Sequence, residues 1–486
     1  MNLTTGSGHT AVPVDAGAEA RRLYELQRRA FATSPAPDRQ ARLRSLDRLA
    51  SVLSRNSPEI AAAISADFGN RSHFETYLLE LVPIRNAIRH AKQNLARWMR
   101  PQRRHVGWLF KPGKAWVQYQ PLGVVGILSP WNYPLSLSLL PMVDAMAAGN
   151  RVLLKPPELT PNFSALIKRL LGEAFAEEEV AVVSGGPELA EQFSRLPLDH
   201  LFFTGSTAVG RRVMAAAAEN LTPVTLELGG KAPVLVCPDY DVAAAARGIA
   251  FGKLANAGQT CIAPDYVLAP AAKVRGLADA VIALSRKLYP SITLNPDYTS
   301  ILCDRHYHRL QSAIEEARAG GAEILSHGDH PAGAGRKIEL TVVLHPPAEC
   351  ALMREEIFGP VLPIVGYQTL DEAILYIHAR ERPLALYCLT HNRAYRNAVL
   401  GRTISGGVTV NGIFLHNAQE DLPFGGVGHS GLGSYHGIAG FQRFSHARSI
   451  YQVRVIDTLH LLAPPYGRFA KLVIRVLGSR RASDSC

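Results

Sequence analysis

The stretch Asn-Ala-Gly-Gln-Thr-Cys-Ile-Ala-Pro, residues 256–264, sets Cys261 among Gly, Gln and Thr. The backbone there is free to turn, and small polar groups can approach the sulfur. Two readings follow from these residues alone: a packed, inert thiol, and a nucleophile. What surrounds the stretch is a repeated alternation of short apolar runs with longer helical ones, and this decides the fold class.

Upstream, apolar runs at Val124–Leu128, 152–155, 180–183 and 201–204 are separated by helical patterns. One spans about 135–148 and is closed by Gly149 and Asn150, one follows Pro161, and one covers 208–219. Strands spaced by helices of about 10 to 15 residues predict parallel βαβ units in a doubly wound α/β sheet. Beyond Gly230 the alternation resumes and runs to about Thr409, predicting a second α/β domain that carries Cys261. Before residue 98, Leu23, Leu26 and Ala30, then Leu43, Leu46, Ala50 and Leu53, recur at helical spacing, with Asp38 placed to cap the second segment. Residues 108–110 and 115–119 flank Lys111-Pro112-Gly113-Lys114, which reads as a β-hairpin.

The chain has 486 residues, nearly half of them apolar, enough for two or three domains with a large core. The net charge of +11 collects in clusters at 97–105 and 468–481 without aromatic interleaving, which argues against nucleic-acid binding. Six scattered cysteines with no CxxC pair point to neither a disulfide framework nor a zinc site, and no metal constellation is present. The first twenty residues lack the apolar core of a secretion signal, and no run approaches the roughly 18 to 20 apolar residues of a membrane span, so the expectation is a soluble, cytoplasmic protein.

Further motifs favour the nucleophile: Ser-Pro-Trp-Asn-Tyr-Pro (129–134), Phe-Thr-Gly-Ser-Thr-Ala-Val-Gly (203–210), Leu-Glu-Leu-Gly-Gly-Lys (226–231), Glu-Glu-Ile-Phe-Gly-Pro (355–360) and Pro-Phe-Gly-Gly-Val-Gly-His-Ser-Gly (423–431). With residues 256–264 they resemble the aldehyde dehydrogenase superfamily from about residue 20 to about 446. The resemblance implies Cys261 as nucleophile, Asn132 as oxyanion donor beside the backbone N–H of Cys261, and Glu227 as general base for thioester hydrolysis. It also implies a dinucleotide cofactor. Lys155 and Glu158 would reach the adenine-side ribose, and Gly205, Ser206 and Gly210 the pyrophosphate, while Glu356 and Phe358 would approach the nicotinamide side. An acidic Glu158 favours NAD, with NADP use still open. The thiol, at about 8.5 when free, is expected to need lowering by its surroundings.

The implied architecture is two doubly wound domains plus a β-hairpin oligomerisation element. The cofactor domain takes residues 1–104 and 122–228, the catalytic domain 229–410, the oligomerisation elements 105–121 and 411–446, and the tail 447–486. Residues 258–266, 422–428 and 434–437 resemble the class 3 branch, typically dimeric. Residues 220–231, 298–301, 304–307 and 416–423 resemble bacterial coniferyl aldehyde dehydrogenases. The expected reaction is oxidation of an aromatic aldehyde through a thiohemiacetal and thioester on Cys261, with Tyr133, Ile262, Phe414 and His416 as candidate pocket walls. Medium or long-chain aliphatic aldehydes and a thiol esterase without hydride transfer are the alternatives. In the tail, Phe469, Leu472, Val473 and Val476 face away from Arg468, Lys471 and Arg475, a basic amphipathic pattern that favours docking on a protein surface over membrane contact.

Overall fold

A computed structural model describes residues 15–326, 328, 335–454 and 460–479. Most of the leader discussed above, and the tail residues 455–459 and 480–486, lie outside the described residues.

Helices α1 (Ala16–Thr33), α2 (Arg39–Phe68), α3 (His73–Thr76) and α4 (Val82–Trp98) open the chain. Asp38 caps α2, its side chain accepting from Ala41 N at 2.7 Å, and Gly69 ends the helix in the left-handed conformation that glycine adopts without a Cβ clash. Between α3 and α4 the turns widen into a π segment at Tyr77–Leu81. The insertion rotates Glu80 into the core, where it is fully buried.

Three sheets follow. The first strands are β1 (Gln102–Arg104), β2 (Lys114–Pro121), β3 (Val124–Leu128), β4 (Arg151–Lys155), β5 (Val180–Val182), β6 (His200–Thr204) and β7 (Val224–Glu227). Next come β8 (Pro233–Val236), β9 (Tyr266–Pro270), β10 (Glu323–Ser326), β11 (Thr341–Leu344), β12 (Val361–Tyr367), β13 (Ala385–Leu389), β14 (Gly407–Val410), β15 (Gly431–Leu432) and β16 (Ser445–Gln452). One six-stranded sheet has the order β15-β7-β6-β3-β4-β5, and a seven-stranded sheet the order β10-β11-β12-β9-β8-β13-β14. In the first, β3 to β7 are parallel, crossed by α5 (Ser136–Ala148), α6 (Pro161–Ala174), α7 (Pro187–Ser194) and α8 (Thr207–Ala218). The second is parallel except at β10, and α9 (Val242–Leu254) crosses from β8 to β9. The doubly wound α/β expectation is met, and the reason is visible in the strands: β3 and β6 are buried at every position, as covered parallel strands are.

The hairpin differs from its expected form. Residues 108–110 are a 3₁₀ turn, not a strand, and β2 pairs antiparallel with β1 on one side and with β16 on the other. Strand β16 also carries sheet structure to Gln452, past the expected start of the tail at residue 447. Residues 411–446 do not form one element: β15 joins the first sheet, and the helix Gly437–Arg443 packs on α4 and α5. No helix among the described residues is long and apolar enough to cross a membrane.

Candidate active site

In the first sheet the chain passes from β3 outward to β4 and β5, then returns to β6 on the other side of β3 and moves on to β7. Connections leave the carboxyl ends of β3 and β6 in opposite directions, opening the crevice where ligands bind in such folds. Asn132 follows β3, Lys155 ends β4, Gly205 follows β6 and Glu227 ends β7. The second sheet meets this end with the start of β8 and the loop leading to β9, which carries Cys261.

That loop is held in an unusual backbone path. Asn256, Ala257 and Gly258 have φ of 50°, 50° and 73°, three successive left-handed residues of which only the last is a glycine. The strain is offset by contacts on every side. Asn256 N donates to both carboxylate oxygens of Glu75 at 3.1 and 3.2 Å, and its side chain donates to Asn132 O at 2.9 Å. Gln259, fully buried, donates to Asn256 O and Ser300 O at 3.0 Å and accepts from Leu302 N at 3.0 Å. A Cβ on Gly258 would lie 2.4 Å from Gly359 O, so the glycine lets the loop press against Glu-Glu-Ile-Phe-Gly-Pro. Past the cysteine, Tyr387 OH donates to Ile262 O at 2.5 Å.

The Asn132 side-chain amide donates to Gln259 O at 3.2 Å, two residues before Cys261, which puts an amide donor at the sulfur's loop. Its backbone carbonyl accepts from Arg71 Nη1 at 3.2 Å. Arg71 and Glu80 form an ion pair of 2.9 Å with both side chains fully buried, and Glu80 accepts the first N–H groups of α5 from Leu135 and Ser136. Tyr133 packs under the Arg71 guanidinium and shares a hydrogen bond of 2.8 Å with Thr260. The helical spacing before residue 98 does not single out Arg71, Glu75 or Glu80. The available signal was Glu80 itself, a carboxylate inside the apolar run 77–82.

Two carboxylates complete the centre. Glu227 is buried, neither of its oxygens has a hydrogen-bond partner among the described residues, and burial pushes its pKa well above the usual carboxylate range, with Arg443 pulling the other way. Glu356 rises to about 8, through burial and then the nearby Asp265, despite a hydrogen bond from Gly230 N–H. A Cβ on Gly229 would stand 2.1 Å from its Oε2, so the glycine after Leu228 admits this second carboxylate. Cys261 is half-buried. Its pKa is pushed up to about 12 by burial, by Glu356 and by Glu227, while the amides of Cys261 and Ile262 oppose that rise. The expected lowering is therefore not found: a desolvated thiol facing two acids resists becoming an anion.

The residues for a dinucleotide fit one. Ser206 caps α8, accepting from Val209 N, and the first-turn amides beyond it lack intrahelical acceptors, a ready anion site. Gly205 N donates to Glu227 O at 3.0 Å, and a Cβ on Gly210 would meet Leu228 at 2.7 Å, so α8 lies close against β7. Lys155 pairs with Glu158, the lysine buried and the carboxylate open to solvent. Phe358 (φ 52°) meets Trp131 edge-on at 5.4 Å beside Asn132. Lys231, held by Asp265, Leu352 O and Glu355 O, ties the 226–231 turn to the loop before Phe358, and Arg309 secures that loop at Ile357 O.

Of the candidate walls, Tyr133 and Ile262 are buried at the Cys261 loop, and Phe414 packs against Phe251. His416 is a core histidine bonded to Thr409 Oγ1 at 2.7 Å and stacked on Phe424.

Two opposed α/β sheets with a cysteine, an amide and an unpaired carboxylate at their junction define a class, and the comparisons agree: the chain belongs to the aldehyde dehydrogenase family, whose profile matches residues 2–450. Among its relatives is a probable coniferyl aldehyde dehydrogenase of Caulobacter vibrioides, 44% identical over 479 residues, covering 96% of each chain. Its fold is similar to a substrate-bound aldehyde dehydrogenase of Staphylococcus aureus, with a TM-score of 0.89, 37% identity and coverage of 94% of this chain and 99% of that one. It is also similar to a Mycobacterium tuberculosis aldehyde dehydrogenase complexed with NAD+, with a TM-score of 0.81, 27% identity and 92% of both chains covered.

Proposed function

We propose that the protein oxidises an aldehyde, aromatic and coniferyl aldehyde-like, to the carboxylic acid with NAD as cofactor, NADP being the weaker partner. The observation that carries this is the buried Glu227 carboxylate at the end of β7, which has no hydrogen-bond partner among the described residues and whose charge is felt by the Cys261 thiol. Cys261, its thiol proton released to solvent, adds as the thiolate to the carbonyl carbon, and the developing oxyanion is held by the Asn132 amide and the Cys261 backbone N–H. A bound NAD would supply the acceptor for the hydride of the thiohemiacetal carbon, and loss of that hydride would leave a thioester on the sulfur of Cys261. Glu227, its basicity raised by burial, takes a proton from the water that attacks the thioester and releases the acid. Lys155, Glu158, Gly205, Ser206 and Gly210 would hold the adenosine and pyrophosphate side, and Glu356 and Phe358 the opposite end. Glu158 opposes a 2′-phosphate, though its pairing with Lys155 weakens that bias. The open edge of β16 supports pairing with a second copy.

The test uses two variants and an aldehyde panel. Cys261→Ala should abolish aldehyde-dependent NADH formation while retaining NAD binding. Glu227→Gln should lower kcat by about 10²- to 10⁴-fold and accumulate acyl-enzyme detectable by intact mass. Turnover in the first variant, or an undiminished rate in the second, overturns the assignment. Among cinnamyl, benzyl and straight-chain aldehydes, the highest kcat/KM should fall on the cinnamyl member.

A further inference from the structure

At the other end of the first sheet's strands from the crevice, where β4 begins, lies a cavity of about 640 Å³. Its walls come from the start of α2, the end of α5 and the Phe175–Val180 segment. Four arginines line it: Arg42, Arg44, Arg48 and Arg151. Two carboxylates share the lining, and both are already engaged. Asp47 pairs with Lys92, and Glu179 with Arg48 at 2.6 Å. Among the described residues, Arg42, Arg44 and Arg151 have no carboxylate within ion-pairing distance.

Arg42 shows the imbalance most plainly. Its guanidinium is buried and bonded only to carbonyls, Pro37 O at 2.9 Å and Ala147 O at 3.0 Å, with Asp38 acting on it from further away. Burial without a paired acid makes its charge costly, and those two bonds use part of a five-donor fork. The carbonyl at the end of α5 explains why an arginine stands at this position, since cations suit helix C-termini. It does not explain why Arg44 and Arg151 converge on the same space.

We propose that this cavity is a binding site for a small polyanion, phosphate or a phosphate ester, held by Arg44 and Arg151 over the field of Arg42. Planar guanidinium forks match phosphate oxygens two at a time, and several of them around one concavity concentrate a field that a single surface arginine does not. The site is separate from the cofactor crevice: Arg151 begins β4 and Lys155 ends it, a rise of roughly 13 Å.

The probe is inorganic pyrophosphate titrated calorimetrically into the full chain already saturated with NAD, which blocks the helix-end site at Ser206. The parent should bind one equivalent, more weakly as salt rises. Arg44→Gln combined with Arg151→Gln should weaken binding at least tenfold and leave aldehyde oxidation unchanged. Arg42 is left in place because it closes α5. Absence of binding by the parent, or a double variant that binds as tightly as the parent, overturns the proposal. Should NAD itself fail to bind, the parent-to-variant ratio still decides this site, because neither arginine lies near the crevice.

Discussion

Cys261 sits among charges that oppose its ionisation. Burial first, then Glu356 and Glu227, raise its pKa, and the two amides aimed at the sulfur do not outweigh them, so the thiol of the free enzyme is held protonated. A compensating positive charge beside the sulfur, such as an oxidised nicotinamide ring carries, would favour the thiolate. The rate of Cys261 alkylation by iodoacetamide, followed by peptide mass spectrometry without cofactor, should therefore rise about tenfold per pH unit from pH 7 to 10. Glu356→Gln should speed it several-fold at pH 9, where the Glu356 carboxylate, raised to about 8, is ionised. A plateau near pH 8.5 would show the sulfur to be unperturbed. The residues nearest Cys261 in sequence were legible because they sit in compact motifs. The thiol's resistance to ionisation was not, since it depends on a carboxylate delivered from residue 356 through the space left at Gly229.

At the level of elements, the π segment Tyr77–Leu81 does more than join α3 to α4. It turns Glu80 inward to neutralise Arg71 and to receive the first amides of α5, while Arg71 reaches the Asn132 carbonyl. Removing one member of such a buried pair strands the other charge, so Glu80→Ala should cost about 3 to 5 kcal/mol of stability, read from urea unfolding. Replacing both partners with apolar residues, Arg71→Met with Glu80→Leu, should restore much of it. A loss under about 1 kcal/mol for Glu80→Ala would mean the pair is not the tie described. The parallel strands could be read from the chain because buried strands are continuous apolar runs between helices of regular length. Strand β1 could not: Gln102-Arg103-Arg104 is polar throughout and largely exposed, so it reads as a basic cluster, while the apolar residues 108–110 drew the strand assignment to themselves.

Across the whole molecule, two sets of buried groups pull stability in opposite directions with pH. His200, lowered to about 3, and His416 and His436, lowered to about 4, are neutral when folded, all through burial. Their folded values lie below the unfolded value of about 6.5, so their contribution is complete above that pH and is lost as the pH falls. Glu356, raised to about 8, Glu420, raised to about 7, and Glu227 and Asp144, raised well above their usual range, behave in the reverse sense. Their contribution is complete below about pH 4 and is lost as the pH rises through their folded values. The sets offset one another between about pH 4.5 and 6.5. From 6.5 to 8 the four carboxyls go on losing their contribution, while buried Lys253, lowered to about 8 by desolvation, begins to gain only at the top of that interval. The urea midpoint should therefore be lower at pH 8 than at pH 6.5, and a rise over that interval would contradict the account.

Strand β15 pairs Gly431 with Glu227, and a Cβ on Gly431 would lie 2.4 Å from Leu226 O. A ribosome thus makes Glu227, and then Cys261, well before it makes the short ribbon that pairs along the sheet margin beside Glu227. A growing chain that has passed Cys261 but not yet reached Gly431 therefore holds both side chains without the ribbon that pairs along this margin of the sheet.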